Sequence, residues 1–427
     1  MAKTRNRLIS VGIALLLIAA ALFVIPQKTA SAETWIEAAA TGFANGDGSQ
    51  DNPYQISSGA ELAYLAKRVG GGNSYENNFF KLTADIDLGG KEWNPIGYGS
   101  YDRNDSDVSC HEFKGTFDGN NRTISGLKIS DKRHVGLFWT NNGTIKNLYL
   151  DNVEISTYQG AGAICDNNKG TIENCGVLSG KLIYLGSSGG QVGGICESNS
   201  GKISLCYNMA DIVGGGFNGG ICNKNDSGAT IENCYNGGKV AAAYGTNSGI
   251  CKNNSGTISC CLNFGEISSE SGSAYGICGT NIGNITNCYN DKSVNGEIIA
   301  CGDGFTGIGS TTNVNRKTTA ELCNGSLNNL DGFDESVWSV GSYNPTVTPK
   351  EGRFGAQTYT YPKLTGVTKT AATRDIEVYN FSTDNTENYD NFTYIETAED
   401  FQNIDKNLSG NYVLKNDIEL DNTFAPI

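Results

Sequence analysis

The chain has 427 residues, with 56 Gly, 7 Pro, 14 Cys and a formal net charge of −14. This length allows more than one domain. The negative charge disfavours binding to nucleic acid or to an anionic membrane surface, because both would repel an acidic protein, and it favours solubility and cationic partners. Abundant glycine with scarce proline is typical of a protein built from strands and turns.

Residues 1–32 have the pattern of an export signal. Basic side chains, including Lys3 and Arg5, precede an apolar core at 8–25, and an A-x-A cleavage site ends at Ala32. An uncleaved membrane anchor is the alternative, because the apolar run is long. A proline and small residues after the apolar core favour cleavage. The sequence therefore predicts a secreted or cell-surface protein with no membrane segment beyond the signal peptide.

The centre of the chain repeats one phrase five times. The copies are GAICDNNKGTIENC, GGICESNSGKISLC, GGICNKNDSGATIENC, SGICKNNSGTISCC and YGICGTNIGNITNC. Each copy holds an apolar residue and a cysteine, then an Asn-rich turn, then Ile and a second cysteine. Self-similar units of this length indicate a solenoid or a propeller, in which each unit buries its apolar face against its neighbours.

The residues within each unit favour strands over helices. Short runs are separated by Gly and Asn, and no helical period is present. Leucine-rich repeats have a similar length, but they need a Leu-dense consensus that this sequence lacks. Three short strands per unit, bent at Gly and Asn corners, describe one coil of a parallel β-helix. The predicted fold is therefore all-β: a right-handed parallel β-helix (solenoid) with a short N-terminal capping helix.

A predicted helix and a first set of strands precede the repeats. Residues 61–69 place Leu62, Leu65 and Val69 on one helical face. Such a helix can cover the open edge of a first coil, which would otherwise invite pairing with another molecule. The predicted module at 33–366 divides into a cap at 33–96, coils at about 97–313 and a closing segment at 314–366.

Three runs at the start of the repeats carry a family resemblance. DIDLGGKEWNPIG, FKGTFDGNNRTISGLKI and VGLFWTNNGTIKNL resemble the GLUG-motif family of bacterial cell-surface proteins. The resemblance covers about residues 33–365 and implies an exported, repetitive, right-handed β-helical protein regarded as a surface or adhesion module. The chain departs from the family at the fourth motif position, usually Gly, where it has Trp139, Asp166, Glu197, Asn223 and Lys252 in turn, and only Gly279 keeps the glycine.

Beyond the repeats the sequence predicts a polar linker at 367–390 and the start of a second, truncated module at 391–427. The run DIDL at 85–88 is echoed by DIEL at 417–420. In the first copy the chain continues into coils, whereas the second is followed by only a few residues. One or two strands cannot bury an apolar face alone. The expectation is that the natural chain continues into further coils and a surface anchor.

Ten of the fourteen cysteines occur as one pair in each repeat, 10 or 12 residues apart. The pairs are Cys165 and Cys175, Cys196 and Cys206, Cys222 and Cys234, Cys251 and Cys261, and Cys278 and Cys288. Zinc favours closer pairs and histidine, so no metal is expected. Disulfides within each coil and buried free thiols both remain open, because export permits disulfides and thiols also serve as small core hydrophobes. An earlier coil has Phe138 and Leu148 at these positions, which indicates that both face the core.

Few residues offer the chemistry of an enzyme. Polysaccharide-active enzymes need carboxylates that converge on one face. The candidates are Glu173, Glu197, Glu232 and Glu266, which do not share one place in the phrase, the histidines His111 and His134, and the acidic cluster of Asp85, Asp87 and Asp118. The sequence therefore predicts no catalytic, cofactor-binding or metal-binding residues.

The predicted function is that of an exported, non-catalytic surface protein acting as an adhesion, binding or display module. Its expected partner is a host or cell-surface glycan or protein. A polysaccharide-active β-helix enzyme and a purely structural spacer are the alternatives. Tyr207, Tyr235 and Tyr289 form a partial tyrosine row after the second cysteine, and outer-face packing is favoured over a platform for stacking sugars.

Overall fold

The protein is described here by a computed structural model. The described residues are 34–99, 110–186, 189–296, 298–303, 309–340, 357–365, 369, 373–376, 393–395 and 412–414. The chain divides into two compact units, one of Met1–Thr346 with Gln357–Ile376 and one of Val347–Ala356 with Glu377–Ile427. The predicted signal peptide at 1–32 lies outside the described residues.

The first unit is a parallel β-solenoid of about nine coils, which confirms the predicted fold class. Strands of successive coils pair in register, so that Cys165 is the partner of Cys196, and Cys196 is the partner of Cys222. Neighbouring parallel strands lie about 4.8 Å apart. Every residue of the phrase therefore stands directly above its counterpart in the preceding coil.

Two of the four stacked sheets carry the repeated phrase. The isoleucine face consists of Tyr54–Ile56, Phe79–Leu82, Ile86–Asp87, Thr116–Ser125, Thr144–Asp151, Thr171–Glu173, Gly176–Val177, Lys202–Ser204, Tyr207–Asn208, Thr230–Glu232, Tyr235–Asn236, Thr257–Ser259, Leu262–Asn263, Asn284–Asp291 and Ser310–Lys317. The cysteine face consists of Glu112–Phe113, Phe138–Asn141, Cys165–Asn168, Cys196–Asn199, Cys222–Asn225, Cys251–Asn254, Cys278–Asn281 and Cys301–Asp303.

Two smaller sheets close each coil. The glycine face consists of Gly160–Gly162, Gln191–Gly193, Phe217–Gly219, Thr246–Ser248 and Ser273–Tyr275. The return face consists of Lys128–Lys132, Val153–Thr157, Gly180–Tyr184, Asp211–Gly214, Val240–Ala242 and Ile267–Ser269. The two faces join the end of one phrase to the start of the next.

One residue in the left-handed conformation bends each coil just before the second cysteine position. Its φ lies between 50° and 54° in Asn147, Asn174, Leu205, Asn233, Cys260, Asn287 and Asn313. Asparagine tolerates this conformation better than other residues with a side chain. Leu205 and Cys260 occupy the equivalent corners of their own coils, although leucine and cysteine do not favour the left-handed conformation.

Two columns of buried asparagine run along the solenoid. In the first, the Nδ2 of each residue donates to the Oδ1 of the next at 2.8 Å, through Asn141, Asn168, Asn199, Asn225, Asn254 and Asn281. In the second, the same bond of 2.8–3.0 Å joins Asn208, Asn236, Asn263 and Asn290. Because neighbouring amides satisfy one another, they lie in the interior with little cost from unpaired polar groups. The exception is the end of the second column, where the Nδ2 of Asn290 is buried and has no hydrogen-bond partner among the described residues.

The predicted capping helix spans Gly59–Gly70. The Ser58 hydroxyl accepts a hydrogen bond from the backbone N–H of Glu61, as an N-cap should. Leu62, Leu65 and Val69 are fully buried in the core that continues into the coils. Two one-turn helices follow the repeats, at Lys292–Asn295 and Thr319–Leu322. Among the described residues, no helix has both the length and the apolar character needed to span a bilayer.

The end of the solenoid differs from the predicted boundaries. The strand Ser310–Lys317 pairs in parallel with Asn284–Asp291, so the coils extend past residue 313. Within the predicted linker at 367–390, Thr373–Ile376 forms a strand that pairs antiparallel with Gln357–Thr360. The closing segment also contains the antiparallel pair Trp338–Ser339 and Lys363–Leu364. Polar composition alone did not reveal these short strands.

The described residues of the second unit form one parallel pair, Thr393–Ile395 with Tyr412–Leu414. In the first unit, Tyr54–Ile56 and Phe79–Leu82 pair in the same parallel manner. The strand Tyr412–Leu414 lies three residues before the DIEL run, just as Phe79–Leu82 lies three residues before DIDL. The second module stays a prediction, because the rest of 391–427 lies outside the described residues.

Candidate functional site: the fourth-position column

The residues that follow the first cysteine position form a column along one edge of the solenoid. We call it the fourth-position column, and it consists of Trp139, Asp166, Glu197, Asn223, Lys252 and Gly279. The cysteines point into the core, so their neighbours along the strand point away from it. The column meets the glycine face, where Asn223 and Lys252 both contact Phe217.

A histidine and two carboxyl groups gather at one end of this column. The Nδ1 of His134 lies 3.5 Å from the Oδ2 of Asp166. Asp166 is fully buried, and its Oδ1 has no hydrogen-bond partner among the described residues. A Cβ on Gly160 would lie 3.0 Å from the Nδ1 of His134, 3.1 Å from the Cγ of Glu197 and 3.2 Å from the Oδ1 of Asp166. The missing side chain of Gly160 thus leaves room for all three groups.

Burial dominates the electrostatics of this cluster. It raises the pKa of the Asp166 carboxyl, and together with the charge of Asp166 it raises the pKa of Glu197 to about 8. The hydrogen bond to Asp166 raises the pKa of His134. Near neutral pH, Glu197 is therefore largely protonated, and its neighbours His134 and Asp166 lie within ion-pair distance of each other.

A polar cleft of about 360 Å³ opens beside the cluster. Its walls include His134, Tyr158, Gln159, Tyr184 and Gln191. The volume lies within the range of small-ligand sites. Tyrosine rings and side-chain amides together offer flat apolar faces and hydrogen-bonding groups. This arrangement can hold a small polar ligand, and His134 is the wall residue that can carry a positive charge.

The predicted disulfide residues form two columns of thiols. The first contains Cys165, Cys196, Cys222, Cys251 and Cys278, and the second contains Cys175, Cys206, Cys234, Cys261 and Cys288; all ten are buried. All fourteen cysteines are free thiols in the structure. The register places each first-column cysteine beside its counterpart in the next coil.

The register shows which cysteines are neighbours along a column, and the pairing of the two cysteines within each coil stays a prediction. The thiol of Cys196, for example, interacts with those of Cys165 and Cys222, in the coils on either side. Burial raises its pKa well above the usual value, which makes it a poor nucleophile. Spacing along the chain could not reveal this, because it does not show which residue stands above which. The oxidation state of the cysteines in the exported protein stays a prediction.

The tyrosine row lies beneath the closing segment. Tyr207, Tyr235 and Tyr289 are at most 1% exposed. Trp338 contacts Tyr235 with ring centroids 6.3 Å apart, and Phe333 contacts Tyr289 at 5.5 Å. The row therefore takes part in packing, and its rings are not available for a sugar.

The other acids singled out in the sequence bind neighbouring groups. The Oδ1 of Asp85 accepts from the backbone N–H of Thr123, and the Oδ1 of Asp87 from that of Gly89. The Oδ1 of Asp118 accepts from the backbone N–H of Asn120. These bonds fix turns in the first coils. The remaining acids and His111 do not line the cleft.

Sequence reasoning had set aside Glu197 and His134 and did not group them with Asp166. The available signal was the residue after the first cysteine of the repeated phrase, which is polar in four successive repeats, as Asp166, Glu197, Asn223 and Lys252. His134 had no such signal, because it lies in a turn before the first cysteine-bearing coil.

Comparison with known proteins finds relatives that match parts of this chain. No family model matches it. It is 35% identical over 147 residues to a protein of Evansella cellulosilytica described as a Gly-rich membrane protein, a match covering 32% of this chain and 16% of the relative. It is 31% identical over 160 residues to halomucin of Haloquadratum walsbyi, covering 36% of this chain and 2% of the relative. The chain thus spans a small part of each relative.

A solved structure resembles the solenoid. It is a Bacteroides ovatus chain described as an immunoglobulin A1 protease, with a TM-score of 0.50 and 24% sequence identity. The likeness covers 70% of this chain and 93% of that chain. It shows the shared fold alone.

Proposed function

We propose that this protein is an exported, non-catalytic module of the cell surface or extracellular space, used for adhesion, binding or display. The export-signal pattern of residues 1–32 supports location outside the cell. The printed names of the two relatives, a membrane protein and a halomucin, favour a surface or extracellular setting. The resemblance to the GLUG-motif family belongs to the same proposal.

The observation that carries the proposal is the polar cleft set on a regular solenoid. The asparagine columns and in-register strands hold the cleft walls on a rigid support. Tyr158 is 48% exposed at the cleft, where a flat ring can contact a sugar or a peptide. A glycan or a protein of the host or of a neighbouring cell is the proposed partner.

Binding to a glycan array tests this function. The purified protein is compared with Tyr158→Ala and with Ile282→Ala, which removes a similarly exposed side chain at 54% exposure. We expect bound glycans to be lost with the first variant and retained with the second. Equal binding by both variants, or none by the parent protein, would count against a role of the cleft in attachment.

The cluster of His134, Asp166 and Glu197 favours one second candidate, an enzyme acting on polysaccharide. A carboxyl group that is protonated at neutral pH can act as a general acid. Incubation with pectin-like and host-type polysaccharides should release no new reducing ends or unsaturated products if the protein is non-catalytic. Cleavage that disappears in His134→Gln and Asp166→Asn would replace the first proposal with this one.

A further inference from the structure

Three successive rungs of the fourth-position column bring together a carboxyl group, an amide and an amine. Glu197, Asn223 and Lys252 follow the in-register cysteines Cys196, Cys222 and Cys251. Neighbouring rungs are about 4.8 Å apart, so the long lysine side chain can reach the amide one coil away. These are the three groups needed to form an amide bond between side chains.

The amide in the middle rung is held in place and partly unsatisfied. Asn223 is fully buried, and its Nδ2 donates to the backbone carbonyl of Phe217 at 2.7 Å. Its Oδ1 is buried and has no hydrogen-bond partner among the described residues. A buried carbonyl oxygen without a donor is costly. It is also free to receive the proton of a neighbouring acid.

The amine approaches the amide from the next coil. The Nζ of Lys252 lies 4.5 Å from the ring centroid of Phe217, a residue of the coil that contains Asn223. The same Nζ donates to the Oδ1 of Asn253 at 2.8 Å. Lys252 and Asn223 thus both contact Phe217, one at its ring and the other at its backbone carbonyl.

We propose that Lys252 and Asn223 form an intramolecular isopeptide bond, with Glu197 as the positioning acid. The Nζ of Lys252 attacks the Cγ of Asn223, and the new Nζ–Cγ bond replaces the Cγ–Nδ2 bond. Glu197 lends its proton to Oδ1 during the attack and recovers it afterwards. Nδ2 takes up the one proton that the neutral Nζ loses and leaves as ammonia, so no oxidant or cofactor is needed.

The protonation states fit this reaction. Burial lowers the pKa of Lys252, which increases the fraction of neutral amine that can attack. Burial and the Asp166 charge raise the pKa of Glu197 to about 8, so the acid holds a proton at neutral pH. The charged groups facing this acid are His134, Asp166, Lys224 and Asp226. The inference does not depend on the adhesion function proposed above.

The resulting bond would join two adjacent coils covalently. Trypsin normally releases residues 203–224 and 240–252 as separate linear peptides. After crosslinking, trypsin cannot cleave at Lys252, so the second peptide becomes 240–292. Residues 203–224 should then appear joined to it, and the mass of the joined peptide should be lower than the sum of the two peptide masses by that of one ammonia. Reduction and alkylation before digestion remove any disulfide as an explanation.

Tandem mass spectrometry of the denatured, purified full chain decides the matter. We expect the branched peptide in the parent protein and in Glu232→Gln, a control that changes an acid outside the column. We expect its loss in Glu197→Gln and Lys252→Met, with circular dichroism to confirm folding. Linear peptides with an unmodified Asn223 in the parent protein would overturn the proposal, and so would an ammonia loss confined to a linear peptide, which indicates a succinimide.

Discussion

The Nδ2 of Asn168 donates a hydrogen bond to the Oδ1 of Asn199 in the next coil at 2.8 Å. Asn199 in turn donates to Asn225, and its Oδ1 also accepts from the backbone N–H of Gly201. The Asn199 side chain thus forms hydrogen bonds with groups in both neighbouring coils and in the corner of its own coil. Each asparagine is therefore a structural requirement of the repeat and not merely a turn residue.

Replacing Asn199 should lower the free energy of unfolding of the solenoid, because the change affects hydrogen bonds in two neighbouring coils as well as its own. In Asn199→Leu, the Nδ2 of Asn168 and the Oδ1 of Asn225 each lose a partner in the buried interior. We expect a loss of about 2–4 kcal/mol in the free energy of unfolding. Urea denaturation checks this, with the exposed Asn329→Ala as a control that should change stability by less than about 0.5 kcal/mol. Similar losses in both variants would contradict the role of the ladder.

Leu205→Asn should stabilise the protein. Leu205 has a φ of 54°, a conformation that costs other residues about 1–2 kcal/mol more than it costs asparagine or glycine. The Oδ1 of Asn174, one coil below, is buried and has no hydrogen-bond partner within the described part of the chain. An asparagine at 205 could donate to it, as Asn174 donates to Asn147 at 2.7 Å. We expect a gain of about 1–2 kcal/mol.

The reciprocal substitution at the same corner provides the control for that prediction. Asn174→Leu places leucine in the left-handed conformation and removes the bond to Asn147, so its thermal unfolding temperature should fall while that of Leu205→Asn rises. If the thermal unfolding temperature of Leu205→Asn also falls, then the apolar contacts of Leu205 outweigh the strain of its backbone.

The pH dependence of stability should reveal Glu197. Its pKa is raised from an ordinary 4.5 to about 8 in the folded protein, so the folded state binds the proton more tightly than the unfolded state. The stabilising contribution is complete below pH 4.5 and is lost as the pH rises toward 8. The slope for one proton does not exceed about 1.4 kcal/mol per pH unit.

Glu197→Gln isolates that contribution, because the titrations of His134 and Asp166, whose pKa values are also raised, remain in the variant. The free energy of unfolding of the parent protein should fall relative to that of the variant between pH 5 and pH 8. Parallel curves for the two proteins would show that Glu197 is solvated in the folded state.

The two thiol columns should react slowly in the folded protein. Because the ten cysteines of the two columns are all buried, we expect iodoacetamide to modify their thiols only after the protein unfolds. Mapping without reductant then measures the oxidation state: alkylated peptides indicate thiols, and a peptide linking Cys165 to Cys175 indicates the disulfide within a coil. A link between Cys165 and Cys196 would instead show oxidation along the column.

The sequence predicted the architecture because the repeat displays it directly. Recurrent Gly, Ile and Cys identify the core positions, and the substitution of Phe138 and Leu148 for the cysteines shows that both positions are buried. The corners were also predictable, because asparagine recurs there.

The candidate site was less accessible to sequence reasoning. Asp166 and Glu197 are 31 residues apart, and only the register of Cys165 with Cys196 shows that they are neighbours. His134 joins them because the turn before its coil passes beside Gly160. Such a contact depends on three-dimensional packing of a loop that has no repeat counterpart.

The asparagine ladder also affects how a gene encoding this protein can change in length. The first cysteines of successive repeats are 31, 26, 29 and 27 residues apart, whereas the two cysteines within a repeat are 10 or 12 apart. Insertions have therefore accumulated mainly outside the arc that carries the ladder. Duplication or loss of a complete repeat would leave matching rungs on both sides of the junction. Recombination can thus lengthen or shorten the solenoid in steps of about 4.8 Å, one coil at a time. The distance between the two ends of the solenoid changes in this way without requiring a new core.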